Sequence, residues 1–330
     1  MTYRYDVVGI GNAIVDVISL TEDAFLARHG LKKGAMTLVS AETADRLYAD
    51  MGPAIEVSGG SAANTMAGIA SLGGRAAYMG RVHADQLGQV FRHDIRATGV
   101  AFETPAATSG SPTARCLVFV TPDAQRTMQT YLGACVDFGP DDVAPAVIED
   151  SHIVYLEGYL WDKAQAKEAF RKAVRVSHAN GNKVALTLSD AFCVDRHRAE
   201  FMALIEDGID VVLANEAEIK SLWQASSIDD ALAASAARSD RIWAVTRSEK
   251  GSVVIGGGVP IAVPAEKAPR VVDTTGAGDL YAAGFLCGLA QERPLAECAR
   301  LGHICAAEVI SHYGARPEIS LRVLANARMK

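Results

Sequence analysis

One carboxylate near the end of the sequence stands where it could act as a base. In VVDTTGAGDLYAAGF, Asp279 follows the step Gly276-Ala277-Gly278 and precedes a run of apolar and small residues. Unpaired N–H groups and the positive end of the dipole gather at the start of a helix, and together they bind anions without a lysine. Because glycines let an oxygen cluster approach the backbone, this turn could hold a phosphate while Asp279 accepts a proton from an attacking hydroxyl.

The same aspartate also has a purely structural interpretation. The pattern predicts a strand at 268–272 and a helix at 280–290, and acidic residues are common at helix starts. Spacing alone leaves both interpretations of Asp279 open.

A second glycine-rich stretch carries polar residues in an apolar setting. SGGSAANTMAGIASLGG, residues 58–74, predicts a helix of small residues that packs closely on a sheet or lets a ligand approach. Asn64 is polar within this helix, and Asp16 is the single charge in NAIVDVI. Because buried carboxylates need partners, and an amide with a carboxylate suits a vicinal diol, both residues are candidate ligands for sugar hydroxyls.

The elements that must position these residues alternate along the chain. Short apolar segments predict strands, and the stretches between them predict helices, which indicates a mainly parallel sheet covered on both faces. The predicted strands are 5–11, 76–82, 152–158, 183–189, 211–215, 242–246 and 252–257. The predicted helices are 61–72, 85–97, 163–180, 197–206, 216–223 and 228–238.

Two segments fit no strand–helix–strand unit. Residues 13–40 carry an apolar run followed by GAMTLVS, and residues 112–131 predict two strands around the turn TPDAQ. We expect these extra strands to form a small separate sheet that covers the main domain as a lid.

Composition excludes several classes of function. The net charge of −7 argues against a nucleic-acid polymer as the main partner, and no apolar run approaches the length of a membrane span. The six cysteines show no metal-binding spacing, so we expect a reduced, cytoplasmic protein. GIGNAI lacks the third glycine of a dinucleotide fingerprint, and no P-loop or HExxH motif is present.

The two glycine-rich stretches resemble the signatures of the PfkB, or ribokinase-like, carbohydrate kinases. GNAIVDVI, TYLGACVDFGPDD, LEGYLWD and LSDAFCVDRHR are most similar to the adenosine-kinase-like branch found in bacteria. The resemblance implies an α/β fold: a ribokinase-like three-layer αβα sandwich with a mainly parallel central sheet and a small β-sheet lid. It further implies one kinase domain over 1–330, with lid segments at about 13–40 and 101–133.

The resemblance implies transfer of the γ-phosphoryl group of ATP to a primary hydroxyl of a nucleoside, with adenosine the first expectation. A ribokinase- or fructokinase-like sugar kinase and an inosine or guanosine kinase are alternatives, as is a non-catalytic regulatory relative that binds a nucleotide or sugar. ATP and Mg²⁺ are the expected cofactors, with K⁺ as a further expectation. The expected partner is a small nucleoside or sugar, with no membrane contact, and the chain acts as a monomer or homodimer.

The resemblance also assigns site residues by position. The catalytic base is Asp279, and the anion hole is Gly276, Ala277 and Gly278. The acceptor contacts are Asn12, Asp16, Met36, Leu38, Gly60, Ser61, Asn64, Cys116 and Leu117. The ATP contacts are Asn215, Thr246, Gly251, His303 and Arg126. Glu218 and Asn215 organise Mg²⁺ through water, and Asp273 is similar to a residue of the family's monovalent-cation site.

Several of these residues have structural interpretations that stay open. NEAE, residues 215–218, is also typical of a strand end followed by the first turn of a helix. His303 could be a satisfied helix histidine, Arg126 a solvated hairpin charge, and the apolar lid residues lid core. Ser248 stands where the family usually has a glycine, which puts a close approach of the nucleotide at that point in doubt.

Overall fold

The computed structural model describes residues 3–123 and 125–329, and it places fourteen strands and twelve helices within those ranges. The strands are β1 Tyr5–Ile10, β2 Ile14–Leu20, β3 Met36–Leu38, β4 Ala54–Gly59, β5 Ala76–Met79, β6 Ala101–Phe102, β7 Ala114–Val120, β8 Arg126–Tyr131, β9 Ser151–Glu157, β10 Lys183–Thr187, β11 Val211–Asn215, β12 Ile242–Thr246, β13 Ser252–Gly256 and β14 Val259–Val263. The helices are α1 Asp23–Arg28, α2 Ala41–Asp50, α3 Ser61–Ser71, α4 Gln86–Ala97, α5 Pro145–Glu149, α6 Ala164–Ala179, α7 Ala191–Gly208, α8 Glu216–Trp223, α9 Ile228–Ala236, α10 Ala277–Ala290, α11 Leu295–Val309 and α12 Leu321–Arg328.

Nine strands form the main sheet, in the order β14-β13-β12-β11-β10-β9-β1-β5-β6. The strands from β12 to β6 are parallel, while β13 and β14 add an antiparallel edge. All seven predicted strands belong to this sheet. Since the carboxyl ends of parallel strands meet at one edge, residues that follow β1, β9 and β11 are brought together there.

Helices cover both faces of the main sheet. One apolar core joins the sheet to α3, α10 and α11, and a second joins its other face to α6, α7 and α8. This is the three-layer αβα sandwich that was expected, and the predicted mainly parallel sheet is confirmed.

The contact between α3 and α10 is unusually close. A Cβ placed on Gly68 would lie 2.7 Å from both Ala283 Cβ and Leu280 Cδ1, nearer than side chains normally approach. The small residues of α3 therefore allow this helix to pack directly on α10, which brings together the helices of the two glycine-rich stretches.

The second sheet, which we call the small sheet, has the order β3-β8-β7-β2-β4. The predicted lid segments contain β2, β3, β7 and β8, whereas β4 lies outside them and β6 pairs with β5 of the main sheet. The predicted turn at 121–125 includes residue 124, which lies outside the described residues. Side chains alternate across β7, so Cys116 and Val118 face one way and Leu117 and Phe119 face the other.

The predicted strand at 268–272 is absent. Val271 is 68 % exposed, and the N–H of Val272 donates to the carbonyl of Ile310 rather than to a strand. The apolar pair at 271–272 gave a false strand signal because it lies at the surface. Among the described residues, no helix is both long enough and apolar enough to cross a membrane.

Candidate active site

The turn before α10 is built around Gly276. This residue has φ of +78°, and a Cβ on it would lie 2.8 Å from Ala315 Cα, so only glycine fits. The N–H of Ala277 donates to the Thr274 carbonyl within this turn, and the predicted anion hole of Gly276, Ala277 and Gly278 lines the cavity. Among the described residues, no backbone acceptor takes the N–H groups of Gly278 and Asp279, so these two donors at the helix start are available to an anion.

Asp279 lies in the first turn of α10 and is held by two side chains of α3. Ser61 Oγ donates to Asp279 Oδ1 at 2.7 Å, and Asn64 Nδ2 donates to Oδ2 at 3.0 Å. Burial raises the pKa of Asp279, while these hydrogen bonds and the charge of Arg316 oppose that rise. The carboxylate is thus fixed in orientation and more basic than a solvated aspartate, which suits a general base.

Asp16 lies on β2 and packs against the Gly59-Gly60 step. A Cβ on Gly59 would meet the Asp16 carboxyl group at 2.6 Å from its carbon, so the glycine makes room for the acid. Burial raises the pKa of Asp16 to about 6, with Arg126 and Arg316 opposing. This carboxylate therefore has strong acceptor oxygens and few protein donors to satisfy them.

Asn12, just after β1, is nearly fully buried and is held by Glu157. Its N–H and its Nδ2 donate to Glu157 Oε1 at 3.3 and 2.9 Å, while no donor among the described residues reaches Asn12 Oδ1. Glu157 Oε2 accepts from the N–H of Ala62 at the start of α3. Burial raises the pKa of Glu157 to about 7.

Glu157 was not among the predicted site residues. Its signal in the sequence is an acid that ends the apolar strand segment HIVYLE, at the sheet edge where β1 also ends. It joins β9, the end of β1 and the start of α3, and it lines the same cavity as Asp16.

Asn215 and Glu218 form a reciprocal cap at the start of α8. Asn215 Oδ1 accepts from the Glu218 N–H at 2.9 Å, and Glu218 Oε2 accepts from the Asn215 N–H at 3.0 Å. The helix-start interpretation of NEAE is therefore true locally, but both side chains also line the cavity, and burial raises the pKa of Glu218 to about 7.

One cavity of about 600 Å³ connects these groups. It runs from Asn12 and Asp16, past Asp279, to Asn215 and Thr246, and the small sheet contributes Met36, Leu38 and Cys116 to its wall. Gly60, Ser61, Asn64, Arg126, Glu218 and the turn Gly276–Gly278 line it as well. The lining also includes residues that sequence reasoning missed: Ile14, Val118, Met128, Thr130, Leu132, Glu157, Tyr159, Asp162, Phe192, Arg196 and Tyr281.

Three predicted contacts are not placed at this cavity. Leu117 is fully buried on the opposite face of β7, in the core. Gly251 has φ of +87° and forms a turn packed against Val263, and Ser248, with φ of +52°, takes a left-handed conformation without glycine. His303 is buried beneath β13, where Ser252 Oγ lies 2.8 Å from its Nε2, and burial lowers its pKa to about 4. Leu117, Gly251 and His303 therefore do not line the cavity, and their contacts with acceptor or ATP stay predictions.

Arg126 and Asp273 form a buried ion pair instead of two separate contacts. Arg126 Nη1 donates to Asp273 Oδ2 at 2.6 Å, and the Gly314 N–H donates to the same oxygen. Thr275 donates to Asp273 Oδ1 through its N–H and its hydroxyl. Donors of the protein occupy both carboxylate oxygens in this arrangement, and a monovalent cation at Asp273 stays a prediction.

The chain matches the pfkB family carbohydrate kinase domain over residues 55–321. The chain is similar to the crystal structure of adenosine kinase from Sinorhizobium meliloti. The two sequences are 53 % identical, the match covers 98 % of this chain and 99 % of that one, and the TM-score is 0.90. This chain is 50 % identical to the probable sugar kinase protein from Rhizobium etli CFN 42, over 98 % of both chains, with a TM-score of 0.90. Adenosine kinase of Saccharomyces cerevisiae is 26 % identical, over 92 % of this chain and 94 % of that protein.

These matches cover almost the whole chain, including both sheets and every element that lines the cavity. The protein therefore belongs to the pfkB family of carbohydrate kinases and is a phosphotransferase that acts on an alcohol group with ATP as donor.

Proposed function

We propose that this chain phosphorylates the 5′-hydroxyl of adenosine, with Asp279 as the general base. The observation that carries the proposal is the position of Asp279, held by Ser61 and Asn64 midway along a cavity with a polar acceptor end and an apolar wall. Residues 1–330 act as one kinase domain in this proposal, and the small sheet serves as its lid.

In this mechanism the acceptor hydroxyl gives its proton to Asp279 as its oxygen attacks the γ-phosphorus. The new O–P bond forms while the bond to the β-phosphate oxygen breaks, and ADP leaves with that electron pair. The N–H groups of Gly278 and Asp279 face the transferring oxygens and stabilise their charge. The small sheet excludes water that would otherwise compete as acceptor.

The carboxylate side chains of this site suit Mg²⁺, which prefers oxygen ligands. Within the described residues no cluster of three or more His, Cys, Asp or Glu side chains could hold a metal, so phosphate oxygens and water must supply most ligands. Glu218, buried and reaching the cavity beside Asn215, would orient that hydrated ion. Burial raises the pKa of Glu218 to about 7, and a cation bound nearby would lower it and favour the charged form. When bound, Mg²⁺ neutralises phosphate charge.

The wall formed by the small sheet favours a nucleoside over a bare sugar. Met36 and Leu38 are each about half exposed, at 52 and 53 %, and both line the cavity beside Cys116 and Val118. Burial raises the pKa of Cys116 to about 12, so this residue is a neutral thiol at physiological pH. An aromatic base would cover this apolar surface, whereas a sugar would leave it in water.

A sugar acceptor is the second candidate, since Asp16 and Asn12 can bind hydroxyl groups without a base. An ATP-consumption screen over adenosine, inosine, guanosine, ribose and fructose tests the proposal. We expect the highest kcat/KM with adenosine. A higher value with ribose or fructose would assign a sugar, and no turnover with any acceptor would contradict the proposed chemistry.

Replacing Met36 and Leu38 by serine should raise the KM for adenosine about 30-fold and leave ribose turnover unchanged. Met36 and Leu38 are about half exposed, so a ligand that covers the exposed half of each side chain gains on the order of 1 kcal/mol of binding free energy per residue. Leu20→Ser is the matched control, because Leu20 is 83 % exposed at the end of β2 and does not line the cavity. An equal rise in the KM for adenosine in the control and in the double variant would contradict binding of the base at this wall.

Activity should fall as the pH drops through about 6. Burial raises the pKa of Asp16 to about 6 and raises that of Asp279, and both carboxylates act in their charged form. Protonation on the acid side therefore removes the acceptor ligand and the base. A profile of kcat/KM for adenosine from pH 4.5 to 8 measures this limb, and a flat profile would contradict both roles.

A further inference from the structure

Arg316 lies in the loop after α11 and reaches into the interior beside the acceptor end of the cavity. Its Nη2 donates to the Ser58 carbonyl at 2.7 Å and to Ser58 Oγ at 3.1 Å. Its Nε and Nη1 are shielded from solvent and have no hydrogen-bond acceptor among the described residues. Neither the glycine-rich stretches nor the predicted site include this residue, and it does not line the cavity itself.

The contacts of Arg316 join the two glycine turns. Ser58 directly precedes Gly59 and Gly60, and it is fixed from below, since its N–H donates to Asp94 Oδ2 at 2.8 Å and its hydroxyl to the same oxygen. On the other side, Ala315 packs against Gly276, where an added Cβ would lie 2.8 Å away. The short segment 315–316 therefore touches the turn that makes room for Asp16 and the turn that carries Asp279.

The buried charge of Arg316 interacts with acidic groups of several elements. Burial lowers the pKa of Arg316, and the charges of Asp94 of α4, Asp16 of β2 and Asp279 of α10 oppose that change, together with Tyr78 of β5. Asp16 also faces Arg126 of β8, whose guanidinium is already paired with Asp273. Among the described residues, Asp279 has the neutral donors Ser61 and Asn64 as its direct hydrogen-bond partners. Arg316 lowers the pKa of both functional carboxylates, whereas Arg126 lowers that of Asp16.

We propose that Arg316 is a positioning residue that fixes the Gly59-Gly60 turn against the Gly276 turn and supplies the positive charge shared by Asp16 and Asp279. The inference rests on the proposed function, because it takes Asp279 as the base and Asp16 as the acceptor ligand. A guanidinium suits both tasks, since one edge binds Ser58 while its delocalised charge reaches the carboxylates.

The test compares Arg316→Gln, Arg316→Lys and Ser58→Ala by the pH profile of kcat/KM for adenosine and by thermal unfolding. In Arg316→Gln the acid limb should move up by about 1 pH unit, the lower end of the shift that an opposite charge causes in a carboxylate, because Arg316 lowers the pKa of Asp16 and Asp279. The KM for adenosine should also rise about tenfold, and more than kcat falls. Arg316→Lys keeps the charge and should keep the limb. Ser58→Ala keeps the carbonyl that Arg316 binds but removes the hydroxyl between Arg316 and Asp94, so it should lower the unfolding temperature and leave the limb in place.

The electrostatic role is overturned if the acid limb of the kcat/KM profile stays in place in Arg316→Gln. It is also overturned if the limb moves by the same amount in Ser58→Ala. Should the glutamine variant not fold, Arg316→Met keeps the apolar stem without the charge and makes the same comparison against Arg316→Lys. Asp279→Asn separates the two proposals. If that variant keeps its turnover, the assignment of the base fails. If it is inactive while the limb of Arg316→Gln is unmoved, only the inference about Arg316 fails.

Discussion

Replacing Asp279 by asparagine should lower kcat by about 10²- to 10⁴-fold, the range that a positioned general base contributes, while ATP and adenosine still bind. Asparagine keeps the size of the side chain and can still accept from Ser61 Oγ at one end. It cannot take the proton of the acceptor hydroxyl. The loss should therefore appear in kcat, with the dissociation constants of both substrates, measured by calorimetry, changed by less than tenfold.

Glu297→Gln is the matched control for this prediction. Glu297 also lies in the first turn of a helix, α11, but it is exposed and does not line the cavity. If Asp279 were only a helix-start acid, both substitutions would cost a few tenths of a kcal/mol to about 1 kcal/mol in stability and leave turnover intact. Similar kcat values for the two variants would support that simpler role and contradict the base.

Asp16→Asn should have two opposite effects. Its kcat/KM for adenosine should fall by about 10²-fold or more, because a charged acceptor of two hydroxyl groups is lost, and each such hydrogen bond contributes ~1.5–3 kcal/mol. Its free energy of unfolding at pH 7–8 should rise by about 1–3 kcal/mol, because the folded protein no longer buries that charge.

The sign of the stability change follows from the raised pKa of Asp16. Its pKa in the fold is about 6, against an ordinary value of 3.8, so the native state binds the proton more tightly than the unfolded chain does. Stability of the unsubstituted protein therefore falls as the pH rises from about 4 to 6, and the full cost is present above that range. The advantage of the asparagine variant should disappear below about pH 4.

Urea unfolding at pH 4 and pH 7.5, together with kinetics, measures both effects. Asp150→Asn is the control, since Asp150 is exposed after α5 and should change neither quantity by more than about 0.5 kcal/mol. A variant that loses both acceptor binding and stability at pH 7.5 would indicate a structural role for Asp16 instead.

The sequence predicts the parts of the site that lie within short motifs. Asp279, Ser61 and Asn64 stand in the two glycine-rich stretches, and local geometry nearly determines where their side chains go once a helix begins directly after each glycine turn. Asp16 could be recognised because a lone charge among apolar residues needs a partner. The main sheet was predictable for a similar reason, since buried parallel strands form continuous apolar runs.

The remaining errors depend on tertiary contacts. Leu117 and Cys116 are adjacent on β7, and choosing the one that faces the cavity requires knowing which face of the small sheet is covered. β4 was missed because AIEVSG has mixed polarity and its pairing with β2 is distant in the chain. Glu157 and Arg316 are single charged residues without periodicity, and only the folded chain places them near the acceptor end.

The close contact at Gly68 has a mechanical consequence for the reaction. Because α3 and α10 touch without intervening side chains, we expect Asp279 and its two hydrogen-bond donors to keep their alignment. Asp16, in contrast, lies on β2 of the small sheet. Any closing motion of that sheet would therefore bring the sugar towards a base that is already aligned. Aligning the base then costs free energy once, during folding, and not in each turnover.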